Sequence, residues 1–179
     1  MRKLAVIALM FVAAEIAAAQ VPTSGNIFFG YSYYNTNLNG SRKSLNGWEG
    51  SIEGKFLPFI GIVADFSGHY GSEDFSACNG FDCATFHTDV TQHNYLFGPR
   101  VSMSVGKFRP FAELLIGGAH ANAHNFRSDT SFATAVGGGV DYKLLKILAW
   151  RFQGDYIHSD LFDNHQNNLR LSTGIALHF

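Results

Sequence analysis

The chain has 179 residues, with 13 Lys+Arg against 14 Asp+Glu and a formal net charge of -1. That balance leaves no basic footprint for nucleic acid, and the length suits one domain behind a leader. The glycine count of 19 and the aromatic share of 15% fit crowded strand interiors and interfacial aromatic belts.

The chain opens with Arg2 and Lys3, an uncharged apolar run to Ala14, then Glu15 and the small-residue stretch Ala17-Ala18-Ala19. This pattern predicts a signal peptide over residues 1–19, cleaved between Ala19 and Gln20. The apolar run is too short for a spanning helix. Residues 20–25 read as a short periplasmic linker and 26–179 as the folded domain.

From there the apolar residues recur with period two, as successive side chains of a strand point to opposite faces. Strand one is expected over 26–35, with Ile27, Phe29, Tyr31 and Tyr33 on one face. Strand two, 47–57, puts Trp48, Ile52 and Phe56 opposite Glu49, Ser51, Glu53 and Lys55. Strand three, 60–70, sets Ile60, Ile62, Phe66 and Tyr70 against Asp65, Ser67 and His69. Strand four, 93–105, carries Tyr95, Phe97, Val101 and Met103 on one side and Asn94, Arg100 and Ser102 on the other. Pro99 has no amide donor, so a bulge or kink is expected there. Strand five, 108–120, has Leu114 and Ile116 out and Glu113 in, with Leu115 breaking the pattern on the inner face. Strands six (131–142) and seven (147–158) add Asp141, Arg151 and Asp155 to the polar face. Strand eight, 168–179, alternates Leu169, Leu171, Thr173, Ile175, Leu177 and Phe179 with Arg170, Ser172, Gly174, Ala176 and His178.

Connections alternate in length. Residues 36–46, 71–92, 121–130 and 159–167 read as long polar loops. Those at Pro58-Phe59, Gly106-Lys107 and Lys143 to Lys146 are short. The polar faces collect Glu49, Glu53, Lys55, Asp65, Arg100, Glu113, Asp141, Arg151, Asp155 and Arg170. A soluble sandwich would bury these charges at high cost. A wall that is apolar towards lipid, around a polar lumen, accounts for them and for the loop asymmetry. The fold class expected is therefore all-β: an eight-stranded antiparallel transmembrane β-barrel with up-and-down order.

The leader, the eight strands, the segment Phe97-Gly98-Pro99-Arg100 and the terminal strand ending at Phe179 together resemble the OmpA-like or opacity-protein-like small outer-membrane barrels. The resemblance covers essentially all of the mature chain. It implies residence in the outer membrane of a Gram-negative-type bacterium with both termini periplasmic. It also implies Phe179 as a barrel assembly signal, and handling by periplasmic chaperones and the barrel assembly machinery. No peptidoglycan-binding domain is expected after Phe179.

An eight-stranded barrel is just wide enough to be filled by side chains, so the inner charges are expected to form an ion-pair network that plugs it. Arg100 and Arg151 are the expected partners of Glu53 and Glu113; a narrow ion path is the alternative. Cys78 and Cys83 could form a disulfide in a secreted chain or remain thiols. The histidines at positions 69, 87, 93, 120, 124, 158 and 165 gather near one end, but no pair has a metal-ligand spacing on a defined element. They read as surface polar residues, and neither metal nor cofactor is expected. His158-Ser159-Asp160 is the nearest approach to a nucleophile and base. Adjacent strand residues face opposite ways, so a lipid-modifying enzyme is disfavoured. The expected function is non-enzymatic: structural, or surface contact with an extracellular ligand through the loops, with outer-membrane lipid as the surrounding partner.

Overall fold

The structure, a computed structural model, describes residues 24–38, 41–79, 82–123, 127–161 and 164–179, with side chains for 24–36, 44–72, 89–122, 128–159 and 167–179. The leader, the Ala19/Gln20 cleavage position and most of the linker lie outside the described residues. Eight strands run in chain order: β1 Gly25–Leu38, β2 Ser41–Lys55, β3 Ile60–Asn79, β4 Asp82–Ser102, β5 Phe108–Ala123, β6 Arg127–Lys143, β7 Leu148–Leu161 and β8 Asn164–His178. Each pairs antiparallel with the next, and β8 pairs with β1 to close the barrel.

The register fixes the barrel's shape. A path from partner to partner through Ile60, Val101, Ala112, Gly138, Gly154, Leu171, Tyr33 and Asn46 returns to β3 at Tyr70, a stagger of ten residues from its start. At a rise of ~3.3 Å and a strand spacing of ~4.8 Å, that stagger over eight strands tilts them by about 40° around a radius of about 8 Å. The interior therefore has room for side chains and little else.

The alternation in the sequence sets the two faces. Ile27, Phe29, Ile52, Ile62, Phe97, Leu114, Val136, Phe152, Leu171 and Ile175 are all exposed on the exterior. Exposed aromatics ring both ends: Tyr31, Trp48, Tyr70, Tyr95 and Tyr156 towards one, Phe56, Phe59, Phe108, Tyr142 and Trp150 towards the other. The inner face holds the polar residues and a smaller set of apolar ones.

Three differences from the sequence expectation stand out. The four long connections are continuations of the strands: β1–β2 pair as far as Leu38 and Ser41, and β3–β4 as far as Asn79 and Asp82. We call these paired extensions the ribbons. Their residues lie beyond the apolar wall, so both faces tolerate polar side chains, and the alternation that marks a strand in sequence is lost. Second, Pro99 makes no bulge. Phe97 pairs with Ile116 and Arg100 with Glu113, one register on both sides, and only the β4–β5 ladder lapses at Gly98 and Pro99. The β3–β4 register runs through Ile62 and Pro99 without interruption, so the missing amide costs β4 one neighbour only. Third, β4 ends at Ser102, and a tight turn follows in which Val105 and Phe108 exchange hydrogen bonds at 2.8 and 3.0 Å. Gly106 has φ of +62° there, a conformation glycine adopts without steric cost.

Candidate functional site

The lumen is built in layers. At its centre three fully buried guanidinium groups meet the carboxylates. Arg100, from β4, donates from Nε to Glu113 Oε2 at 2.7 Å and lies 3.4 Å from Glu53 Oε2. Arg151, from β7, forks onto Asp141 with bonds of 2.6 and 2.9 Å and also donates to Asn26 Oδ1 at 3.0 Å. Arg170, from β8, is the hub. It donates to Asp155 Oδ2 at 2.9 and 2.8 Å and to Asp65 Oδ1 at 2.7 Å, and its Nε lies 3.3 Å from Glu49 Oε2. Gln153 links the sub-networks, reaching Glu49, Glu113 and Asp155 at 2.9 to 3.0 Å. Ser172 donates to Glu49 as well. Charge-assisted forks of this kind are the strong class of hydrogen bond.

Apolar residues flank this ionic layer on both sides, next to buried polar ones: His69, Gln92 and Asn94 on the ribbon side and Asn26 on the turn side. Tyr34, Leu45, Val63, Leu96, Leu115 and Ile157 form one buried cluster with four alanines. On β2, β4, β5 and β7, Leu45, Leu96, Leu115 and Ile157 lie on the ribbon side of Glu49, Arg100, Glu113 and Asp155. Towards the short turns, Phe28 clusters with Ala149 and Ala176. Phe28 and the buried Phe111 offer ring faces to the guanidiniums: Arg100 stands 4.4 Å over Phe111, and Arg151 4.7 Å over Phe111 and 5.0 Å over Phe28.

The ten charged residues named for the lumen thus divide by depth. Nine are buried, and Lys55 is half-exposed at the turn-end mouth, where it donates to Ser102 Oγ at 2.8 Å and Pro58 O at 3.2 Å. Arg100 does join Glu113 to Glu53. Arg151 does not reach either glutamate and takes Asp141 instead, because Asp141 is its direct cross-strand partner on β6. Sequence reasoning placed Arg170 among the lumen charges but not as their hub, with partners from β2, β3 and β7. It also missed the turn-end cluster in which Arg109 meets His178 Nδ1 at 2.8 Å and donates to Ser102 at 3.2 Å. The signal was there for Arg109, which sits on the inward parity of β5 with Phe111 and Glu113.

The histidines disperse. His69 is a buried lumen residue, with its ring 2.9 Å from Ser32 Oγ and against Tyr34, because its place on β3 has inward parity. His120 meets Thr130 at 2.7 Å and His158 meets Asn167 at 2.8 Å. The side chains of His87 and His165, and the whole of His124, lie outside the described residues. Among the described residues no group of three or more His, Cys, Asp or Glu is placed to hold a metal. Ser159 is buried on the inner face of β7 while His158 bonds across to β8 on the other face, so the two do not share a proton. The backbone register sets Cys78 directly across from Cys83; their side chains lie outside the described residues.

The same fold occurs in solved structures. Ail, the attachment invasion locus protein of Yersinia pestis, crystallised with the heparin analogue sucrose octasulfate, is 16% identical, with a TM-score of 0.60 over 87% of this chain and 98% of Ail. Neisserial surface protein A matches at 9% identity and a TM-score of 0.69, over 86% of this chain and 96% of its own. The outer membrane protein OprG of Pseudomonas aeruginosa matches at 12% and 0.61, over 89% and 97%. No curated protein sequence matches this chain. The family model described as "Outer membrane protein beta-barrel domain" matches residues 4–179, which makes the apolar exterior a lipid-facing wall. The chain belongs to that outer-membrane β-barrel family.

Proposed function

We propose that this barrel is a non-enzymatic, non-conducting scaffold that works through its ribbons, which face the outside of the cell while the short turns and both termini face the periplasm. One observation carries the reading: the lumen is filled. Fully buried charged side chains, paired with one another across a narrow interior and flanked by apolar ones, leave no open path for ions. Chemistry in the lumen would need a cavity, and catalysis at the rim would need a base beside a nucleophile, which His158 and Ser159 do not provide.

What extends beyond the membrane is the ribbons. A membrane strand needs roughly 9–11 residues at such a tilt, whereas β3 and β4 have 20 and 21. Ail was crystallised with a polyanion. Here residues 36–46, 71–92, 121–130 and 159–167 carry seven acids (Glu73, Asp74, Asp82, Asp89, Asp129, Asp160 and Asp163) against Arg42, Lys43 and Arg127. The ligand that suits these ribbons is cationic or neutral, unlike a sulfated polysaccharide. The test has two arms. The protein reconstituted in planar bilayers should show no conductance steps. Cells expressing a chain with the β3–β4 ribbon shortened should keep the folded barrel and lose adherence to surfaces that wild-type cells bind. Stepwise conductance, or adherence unchanged by shortening every ribbon in turn, would overturn it.

A further inference from the structure

The charges outside the lumen are sorted along the barrel axis. The ribbon residues are acidic in balance, while the short-turn end carries Lys55, Lys107, Arg109, Lys143 and Lys146. Two lumen acids towards this end, Glu53 and Asp141, are buried and committed to Arg100 and Arg151. Lys55 and Arg109 turn into the lumen mouth, but among the described residues no side-chain hydrogen bond or ion pair engages Lys107, Lys143 or Lys146. Lys107 and Lys143 are also neighbours, since the Lys143 amide donates to the Lys107 carbonyl at 2.8 Å. Like charges set side by side oppose one another unless something anionic lies between them.

The same turns are strongly apolar. Phe56, Leu57, Phe59, Phe108, Leu144, Leu145 and Ile147 are all exposed, Leu145 by 65%. Large apolar side chains on turns in open water would be costly. Beside lysines they fit the headgroup layer of a bilayer, with the apolar groups in the acyl boundary and the ammonium groups reaching to phosphates.

We propose that the three short turns sit in the lipid headgroup layer and that Lys107, Lys143 and Lys146 form a binding surface for anionic phospholipid headgroups. On the orientation given under Proposed function, this is the periplasmic leaflet. The barrel would then select anionic phospholipid at one end only, and its charge gradient would help to fix which end faces which leaflet.

The chain contains two tryptophans, one towards each end of the barrel. Trp150 lies on the exterior two residues into β7 from the short turn, and Trp48 lies on the exterior in the ribbon-side half of β2. The experiment uses W48F and W150F forms of the folded full chain in phosphatidylcholine vesicles doped with a bromine-labelled lipid, either phosphatidylglycerol or phosphatidylcholine. Quenching of Trp150 should show about a fivefold preference for phosphatidylglycerol, and Trp48 should show none. In K107Q/K143Q/K146Q, checked for folding by gel mobility before and after boiling, the preference should disappear. Without any lysine change, ~1 M salt should also remove it. Equal quenching by the two lipids at Trp150, or a preference that survives salt or the lysine changes, overturns the proposal. Sidedness is read separately, by labelling Asn37→Cys in a C78S/C83S background with a membrane-impermeant maleimide on intact cells. Labelling supports the leaflet assignment. An unlabelled ribbon overturns that assignment while leaving headgroup binding to stand on the vesicle data.

Discussion

Replacing Arg170 by methionine would remove the cation on which three carboxylates converge. The guanidinium holds Asp155 by two hydrogen bonds, Asp65 by one at 2.7 Å, and lies 3.3 Å from Glu49, all with side chains essentially inaccessible to solvent. Among the described residues no other arginine hydrogen-bonds or ion-pairs with Asp65, Asp155 or Glu49, so the variant leaves like charges facing one another in a buried layer. Removing one member of a buried pair costs about 3–5 kcal/mol, and R170M should fall at the upper part of that range. Neutralising the orphaned acids as well, in R170M/D65N/D155N/E49Q, should recover most of the loss, because no unpaired buried charge is then left while the Arg100–Glu113 and Arg151–Asp141 pairs stay intact. The assay is equilibrium urea unfolding in lipid vesicles, followed by tryptophan emission and by gel mobility of unboiled samples. A loss below ~1 kcal/mol for R170M, or no recovery in the fourfold variant, would refute the picture of a buried, tightly coupled lumen.

Leu115 is fully buried in the apolar layer, so Leu115→Ala should cost about 2–4 kcal/mol in the same urea assay, and an unchanged midpoint would mean that water already fills this level. Gly137→Ala places a methyl 1.9 Å from Asp155 Oδ1 and should destabilise by ~1–3 kcal/mol, whereas Gly118→Ala, whose nearest neighbour is Ser131 O at 3.7 Å, should be neutral. The cross-strand pair Cys78 and Cys83 should be joined: alkylation before reduction adds no label by mass, and alkylation after reduction adds two. Loss of so short a closure should cost no more than ~2 kcal/mol in unfolding.

The alternating stretches 26–35, 47–57 and 168–179 read as strands because the lipid wall forces period two on the exterior. Pro58, Gly106 and the pair Lys143/Lys146 marked the turns because chain reversal has its own chemistry. The ribbons escaped notice because nothing outside the membrane demands that pattern: Gly71 and Ser72 on β3 pair with Val90 and Asp89 through backbone alone. The inward parity of every lumen charge could be read from the strands, but the pairing could not. Which residues meet across the lumen depends on the stagger accumulated round eight registers. Arg151 takes a neighbour on the adjacent strand, while Arg170 finds Asp65 across the barrel, and no local feature of the sequence separates the two cases.

Seven of the eight ladders join strands that follow one another, and each can form as soon as its hairpin has been made. The eighth joins Asn26 to His178, nearly the ends of the described chain, and has to wait for everything between. Until then β1 and β8 are two raw edges, with unsatisfied amides and an apolar flank through Phe29 and Ile175 on which any passing strand could seed a mismatched sheet. Of the eight ladders, closure therefore carries the largest loop-closure entropy, and it alone removes both edges at once.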